Sequence, residues 1–591
     1  MEQRDLQLHD GSRVAVIGGG PAGTFFTFFL LDMATRAGRA IGVDIYEPRD
    51  FLKPGPAGCN MCAGIVSETL VQMLAAEGIN LPASVVQRGI DSYILHMDVG
   101  SVRIDTPLQE KRIGAVYRGA GPRDLKESRH TGLDGYLLQL ALDKGAQWIK
   151  QRVSEVSLVG GRPQVKTRAA GQQTYDLVAV TAGVNSPAVK MFQHLGLPYH
   201  PPKTTKTYLR EYYLGAEAVA RILGNAIQVF LLDIPRLEFG MLIPKGDYMT
   251  VCLLGEAIDN DLVQAFLIAP EVRRRLPPDL LPKDISCHCS PRINTYGAQH
   301  PYGDRFVFIG DCAATRLFKD GIGSAYRTAK TAAATAVFQG VSAQDFEQHY
   351  LPACQGVEYD NDIGRLIFLV VSQIQKRRVA RKAVLRMILN EQGKPGHLRR
   401  MSMVQWDMYT GSGSYKEILM RTLHPAFLLR LGWDLLASVF VRKAAPQVEI
   451  QPLAAEDGAE ETEPGKLGRL YQPGEVLIQQ GEVGECMYVI QEGQVALMRE
   501  QAGEEVFLGV RSAGEVLGEN AIFDQEVHGA TVRALSAVRV ITVDRNNFNR
   551  RIHEDPSLAY RLFQLSARRI RELSQQVTML NQELDRLTEE Q

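Results

Sequence analysis

Between residues 13 and 23 the chain reads RVAVIGGGPAG, and TFFTFFLLDMATRAG follows at once. RVAVI is a short, β-branched run that suits a buried strand, three glycines stop it, and the next stretch reads as a helix. A strand that turns through glycine straight into a helix puts Gly18 at the tight turn and Gly20 where a pyrophosphate approaches. Gly23 falls at the helix–strand contact, and Ala22 lies in the same first helical turn. The helix start supplies unpaired N–H groups and a positive dipole end for phosphate. A second strand, IGVDIYE, ends in Glu47, 24 residues beyond Gly23. A carboxylate there accepts hydrogen bonds from a ribose and repels a 2′-phosphate. Glycines in a turn are often only a turn, but strand, helix and terminal acid in register favour a dinucleotide site.

DRFVFIGDCAATRLFKDGIGSAYRTA, at 304–329, repeats the pattern of strand, Gly-Asp, loop and glycine-rich helix start. This resembles the second FAD motif of the geranylgeranyl reductase and aromatic hydroxylase superfamily. The resemblance implies that Asp311 binds the ribityl chain and that Gly321 and Gly323 offer N–H groups to the flavin pyrimidine edge. A helix N-terminus stabilises the negative charge of a reduced flavin at that edge. YDLVAVTAG, at 175–183, fits the strand between the two motifs. The cofactor expected is FAD.

KPGPAGCNMCAGIVSE (53–68) resembles the Lys-Pro…Cys-Gly-Gly loop that lies near the flavin in geranylgeranyl reductases, with Ala63 where the family has glycine. RLEFGMLIPKGDYMTVCLLG (236–255) resembles their substrate-domain hairpin. The family's arginine ahead of a helix start is assigned to Arg129, before LDGYLL, as a pyrophosphate contact. Cys59 and Cys62 are the candidates for a catalytic role as a dithiol beside the flavin. Zinc with the CHC at 287–289 is a second reading, and thiols incidental to a packed loop a third. Ligand spacing matches no ribbon or finger, so no metal is expected.

At 591 residues the chain exceeds one core. A net charge of −1 gives no global field for nucleic acid, and eight cysteines are too few for a disulfide framework. The expected location is the cytoplasm, with a peripheral position on the inner face of the membrane as an extension. That extension rests on the region 341–444, which reads as helical. There Lys376, Arg377, Arg378, Arg381, Lys382 and Arg386 follow an apolar run, and HPAFLLRLGWDLLASVFVRK (424–443) is apolar with basic ends.

Residues 445–468 are acidic and rich in Ala, Glu, Pro and Gly, and read as a linker. From 469 to 555 short strands with glycine turns resemble the cyclic nucleotide-binding fold. The resemblance implies that Gly518 and Glu519 form the turn and the ribose-binding acid. His528 stands where such cassettes carry the phosphate-binding arginine, whose planar fork bonds two oxygens and stays charged. A cyclic nucleotide or related ligand is therefore a partner in doubt. Residues 556–591 end in a seam of Ile570, Leu573, Val577, Leu580, Leu584 and Leu587, spaced by three and four, which suits a dimerising coiled coil.

The fold class expected is α/β: an FAD-binding Rossmann-like domain (10–200 and 296–340) with an interleaved β-rich substrate domain (201–295). A helical segment, a β-roll of cyclic nucleotide-binding type and a coiled-coil helix follow. The function expected is an FAD-dependent oxidoreductase, resembling geranylgeranyl reductases, acting on a hydrophobic isoprenoid or quinone-like small molecule. The alternatives are an FAD monooxygenase of aromatic substrates and a non-catalytic flavin redox sensor or scaffold assembled through its tail. A homodimer is expected, without nucleic acid.

Overall fold

Arg13–Ile17 lies inside a six-stranded sheet of order Tyr302–Gly303, Phe306–Phe308, Leu177–Val180, Arg13–Ile17, Gly42–Tyr46 and Gln147–Ile149. All neighbours pair in parallel except Tyr302–Gly303, which runs antiparallel to Phe306–Phe308. Val14, Ala15 and Val16 are fully buried, and on the face of Ala15 and Ile17 the cover includes Val153, Val156 and Val165 of a three-stranded antiparallel sheet. The chain leaves Arg13–Ile17 for Gly42–Tyr46 on one side, and later strands add on the other. Strand order therefore reverses at Ile17, where open α/β sheets form their binding crevice.

The structure, a computed structural model, describes residues 6–589 apart from 107–109, 124–130, 170, 278–286, 395–397, 441–464, 485, 502, 520–526, 546–547 and 549–556. The chain divides into two units, Met1–Leu70 with Pro82–Leu467, and Val71–Leu81 with Gly468–Gln591. The linker expected at 445–468 lies largely outside the described residues.

The first unit contains a second, seven-stranded sheet of order Cys287–Cys289, Tyr208–Tyr213, Tyr248–Gly255, Leu237–Lys245, Ala226–Phe230, Ser92–Met97 and Gly100–Asp105. The segment 201–295 supplies five of these strands. Ser92–Met97 and Gly100–Asp105 come from within 10–200, because Ser92–Met97 pairs in parallel with Ala226–Phe230. Both faces are apolar. Phe239, Met241, Ile243, Cys252 and Leu254 enter one core, while Leu242, Val251, Leu253 and Tyr212 enter the other. The first core is closed by Leu351–Lys376, Arg378–Leu389, Arg400–Thr410, Tyr415–Thr422 and Pro425–Phe440 through Phe368, Leu385, Trp406, Ile418 and Phe427. Among the described residues no helix is long and apolar enough to cross a membrane.

The second unit holds two four-stranded sheets, all pairs antiparallel. Leu477, Ile490, Val495, Val532, Val538 and Val540 fill its core. The 33-residue helix Ser557–Glu589 follows.

A Cβ on Gly23 would collide with Gly18 O and stand 2.7 Å from Thr181 Oγ1, whereas one on Gly321 would meet nothing within 4 Å. Gly23→Ala should therefore cost on the order of 3 kcal/mol, as overpacking against backbone does. Gly321→Ala should stay within about 1 kcal/mol of wild type. Thermal melts of the two variants, compared with the parent, check the contrast.

Candidate functional site

The turn after Arg13–Ile17 is fixed first. Gly18 has φ +117°, and a Cβ there would stand 2.6 Å from Thr181 O, so only glycine fits. Gly18 N–H donates to Tyr46 O (3.0 Å), and Gly19 N–H donates to Glu47 Oε2 (3.0 Å). Gly20 caps the helix Pro21–Arg36 without a side chain, and Pro21 opens it. Proline at this position sacrifices no helical hydrogen bond.

A chain of alternating charge surrounds this turn. Arg49 donates from Nε to Glu47 Oε1 (3.0 Å) and from Nη2 to Glu47 Oε2 (2.9 Å). Its Nη1 reaches Asn60 Oδ1, and Asn60 Nδ2 donates to Asp134 Oδ2. Arg118 Nε donates to Asp134 Oδ1 at 2.6 Å. A Cβ on Gly20 would stand 3.3 Å from Asn60 Nδ2 and 3.9 Å from Arg118 Nη2. Burial pushes the Asp134 carboxyl up, and Arg118 pulls it back. Two guanidinium groups thus bracket a helix N-terminus, the arrangement that holds a pyrophosphate.

Arg129, the arginine assigned from sequence, lies outside the described residues, and Arg118 is the one at the turn. The reason is a close approach between two glycines. A Cβ on Gly132 would collide with Gly119 O, and Leu133 N–H donates to Tyr117 O (2.8 Å). Gly119 and Gly132 meet, so Arg118 abuts Leu133–Asp134 in space. The paired glycines 119 and 132 were the available signal.

The second motif meets the first. A Cβ on Gly310 would stand 2.8 Å from Ala22 Cβ, so Gly310 packs on the start of the first helix. Gly310 N–H donates to Thr328 Oγ1 (3.1 Å), and Asn294 Nδ2 donates to Asp311 O (3.0 Å). Burial raises the Asp311 carboxyl, opposed by Arg118. At the start of Gly321–Phe338, Gly321 borders open space. Gly323 lies against the Asp320 carboxylate, which accepts from Ser67 Oγ (2.8 Å) and pairs with Arg327 Nη2 (3.1 Å). That dipole end therefore already faces one negative charge.

Cys59 and Cys62 sit in the loop beside this site as free thiols. Their sulfurs accept backbone N–H groups of Met61 (3.2 Å) and Gly64 (3.4 Å). Burial pushes the Cys59 thiol up and the Cys289 thiol up to about 12. Among the described residues no group of His, Cys, Asp and Glu gathers to hold a metal.

Sequence reading also passed over a buried ion pair. Lys245 Nζ lies 3.5 Å from Glu211 Oε1, and Thr250 Oγ1 donates to Glu211 Oε2 (2.7 Å). A Cβ on Gly64 would stand 3.1 Å from Lys245 Nζ, so the cysteine loop touches this lysine. Further along the same sheet face lies a narrow apolar cavity lined by Leu231, Phe239, Phe368, Ile374, Met408 and Tyr409.

In the second unit Gly518 and His528 lie together, with His528 Cε1 3.3 Å from a Cβ built on Gly518. His528 N–H donates to Glu482 O (2.9 Å). Burial depresses its pKa below the ordinary 6.5, against the pull of Glu482. A neutral imidazole has one N–H and no charge for a phosphate. Glu519 Oε1 pairs at 2.5 Å with Arg569 Nη1 of the helix Ser557–Glu589, a partner absent from the sequence reading.

The family described as cyclic nucleotide-binding domain matches residues 469–555. The chain is 30% identical over 114 residues to the cyclic AMP receptor protein of Thermus thermophilus, covering 19% of this chain and 53% of that protein. It is 33% identical over 109 residues to the cAMP-activated global transcriptional regulator CRP of Salmonella typhimurium, covering 18% and 52%. The chain thus spans about half the length of these curated relatives. Among solved structures, the halogenase PltM with ethyl mercury and mercury aligns at TM-score 0.47 and 13% identity, over 72% of this chain and 92% of that one. A flavoprotein/dehydrogenase from Cytophaga hutchinsonii aligns at 0.46 and 14%, over 71% and 99%.

Truncating the charge chain should show in cofactor content. Arg118→Ala leaves the buried Asp134 with Asn60 but without its arginine, and removes a guanidinium beside the Gly20 turn. The purified variant should carry less than about a tenth of the parent's FAD, a loss consistent with the roughly 1.5–3 kcal/mol of one charge-assisted hydrogen bond. Flavin released by denaturation measures it.

For the second unit, His528→Arg should tighten cyclic purine monophosphates about tenfold or more by calorimetry. In the parent, the depressed imidazole contributes stability that is full above its unfolded pKa and lost as pH falls through the lower folded value. Affinity for an anion should rise over the same fall, as the imidazole protonates.

Proposed function

We propose that the chain is an FAD-dependent oxidoreductase acting on a hydrophobic small molecule. The observation that carries this reading is the convergence of two motifs far apart in sequence. Gly310 seats on Ala22, which brings Asp311 to the crevice where Gly20, Arg49 and Arg118 surround a helix N-terminus. Arg49, Arg118 and the backbone at Gly20 would hold the pyrophosphate, Glu47 the adenosine ribose and Asp311 the ribityl hydroxyls. Bound there, FAD supplies hydride transfer. A narrow apolar cavity on the same sheet face, lined by Phe239, Phe368 and Tyr409, supports a hydrophobic substrate. Lys245, paired with Glu211 and touching the cysteine loop at Gly64, is the candidate for holding a proton on the substrate side. Geranylgeranyl reductase-like reduction of a C=C bond is the specific activity favoured.

The C-terminal module acts in this reading as a regulatory or assembly unit. Phe563, Ile570, Leu573, Val577 and Leu580 are half or more exposed along Ser557–Glu589 and match a heptad seam, so a second copy of the helix is the proposed partner. Eight free thiols suit a reducing cytoplasm.

Purified protein should be yellow, carry FAD and bleach on reduction. The reduced form should saturate a prenyl substrate under nitrogen. Incorporation of labelled oxygen into product would instead establish a monooxygenase. A flavin whose reduction changes only oligomeric mass would establish a sensor. Protein lacking FAD, with Asp311→Ala indistinguishable from it, would overturn the site itself.

A further inference from the structure

The helix Pro425–Phe440 buries a mixed face, Phe427 and part of Leu431 beside polar residues. Its buried positions include Asp434, fully buried, and Ser438. Asp434 pairs with Arg386 Nε (3.0 Å) and Arg430 Nε (2.7 Å). Its outward face is apolar: Leu428, Leu429, Leu436 and Val439, with Trp433 64% and Phe440 83% exposed. A helix facing water presents the reverse pattern. The apolar surface continues onto neighbours. Met420 and Leu423 face outward beside Tyr415–Thr422, as do Leu366, Leu369 and Val370 on Leu351–Lys376.

The stretch that carries this helix is predominantly basic. Residues 376–440 contain twelve Lys and Arg against four Asp and Glu, in a chain whose net charge is −1. Among the described residues of that stretch Lys376, Arg377, Arg378, Lys394, Lys416, Arg421 and Arg430 are exposed, and no Asp or Glu is. The basic cluster read from sequence is divided by the fold. Arg381 turns inward to Asp98, with Nε 2.6 Å and Nη2 2.9 Å from its carboxylate, and leaves Lys376, Arg377 and Arg378 outside.

We infer that the outward face of Pro425–Phe440, with its basic surround, is a docking surface for an anionic lipid bilayer, on which this helix lies in the headgroup plane. Sixteen residues make a helix of about 24 Å, too short and too polar within to span. Amphipathic helices with Trp and Leu on one side and basic residues around them bind such interfaces. A second copy would set like charges against each other, whereas anionic headgroups complement them. The inference deepens the proposed function, since the apolar cavity lies under the same helical layer and a hydrophobic substrate would reach it from lipid.

Full-length protein should co-sediment with vesicles of phosphatidylcholine containing phosphatidylglycerol at low salt, and bind pure phosphatidylcholine vesicles at least tenfold more weakly. Leu429→Glu with Leu436→Glu should reduce binding at least tenfold while leaving the melting temperature and flavin content as in the parent. Lys376, Arg377 and Arg378 replaced by Gln should flatten the salt dependence. Parent protein that stays in the supernatant at low salt overturns the inference. So does the double Glu variant binding as the parent does, or equal binding to both vesicles. A double Glu variant that lowers the mass in solution and leaves vesicle binding intact assigns the face to a second copy. Because the readout is vesicle binding, a colourless protein that still docks would fault the FAD reading and not this surface.

Discussion

The helix Pro21–Arg36 rests on its own strand with no side chain between them. Gly23 meets Gly18 O and Thr181 Oγ1, and Thr181 Oγ1 in turn donates to Gly18 O at 2.7 Å. That seat sets the height of the helix above the sheet, and so where its N-terminal N–H groups point. It also exposes Ala22 to Gly310, across a gap that admits no further methyl group. The distant Gly-Asp turn therefore reaches the crevice because two small residues touch. A larger residue at either point would separate the motifs and leave two unrelated turns.

Around that seat the protein has buried charge in quantity. Glu47 and Asp134 are nearly inaccessible; Arg49 pairs with Glu47, Arg118 with Asp134, and Asn60 links Arg49 to Asp134. Burying ions costs several kcal/mol each, which such pairing only offsets. A chain that retains this arrangement beside an open helix terminus has positioned two guanidinium groups for something other than stability. The second unit shows the opposite economy. Its one retained acid, Glu519, is tied to Arg569, and the residue facing Gly518 is an imidazole that burial keeps neutral. The β-roll is intact while its anion chemistry is weakened, so fold and ligand are separate questions there.

The helical layer joins the two sheets' chemistry to the exterior. Phe368 and Trp406 seal one face of the substrate sheet. The outermost helix hides Asp434 and shows Trp433. An acid buried with two arginines anchors that helix through charge, which frees its apolar side chains to face outward.

Periodicity and glycine spacing in the sequence placed the strand, glycine turn and helix at 13–36, Glu47 after the next strand and the helical region, because strand–turn–helix units are encoded by neighbouring residues. Resemblance to known motifs pointed to the Gly-Asp turn and the β-roll. The arginine at the turn was not legible. Arg118 reaches Asp134 because Gly119 and Gly132 meet, whereas Arg129, assigned from the family resemblance, lies outside the described residues. Lys245 and Glu211, Arg569 and Glu519, and Arg381 and Asp98 are likewise pairs between separate elements, which no local pattern specifies. The outward face of Pro425–Phe440 belongs with them. Its composition announced an amphipathic helix, but an apolar stripe ordinarily faces the core. The pairing of Asp434 with Arg386 and Arg430, beside the buried Phe427, sets which face of this helix turns in and leaves Leu429, Trp433 and Leu436 outward.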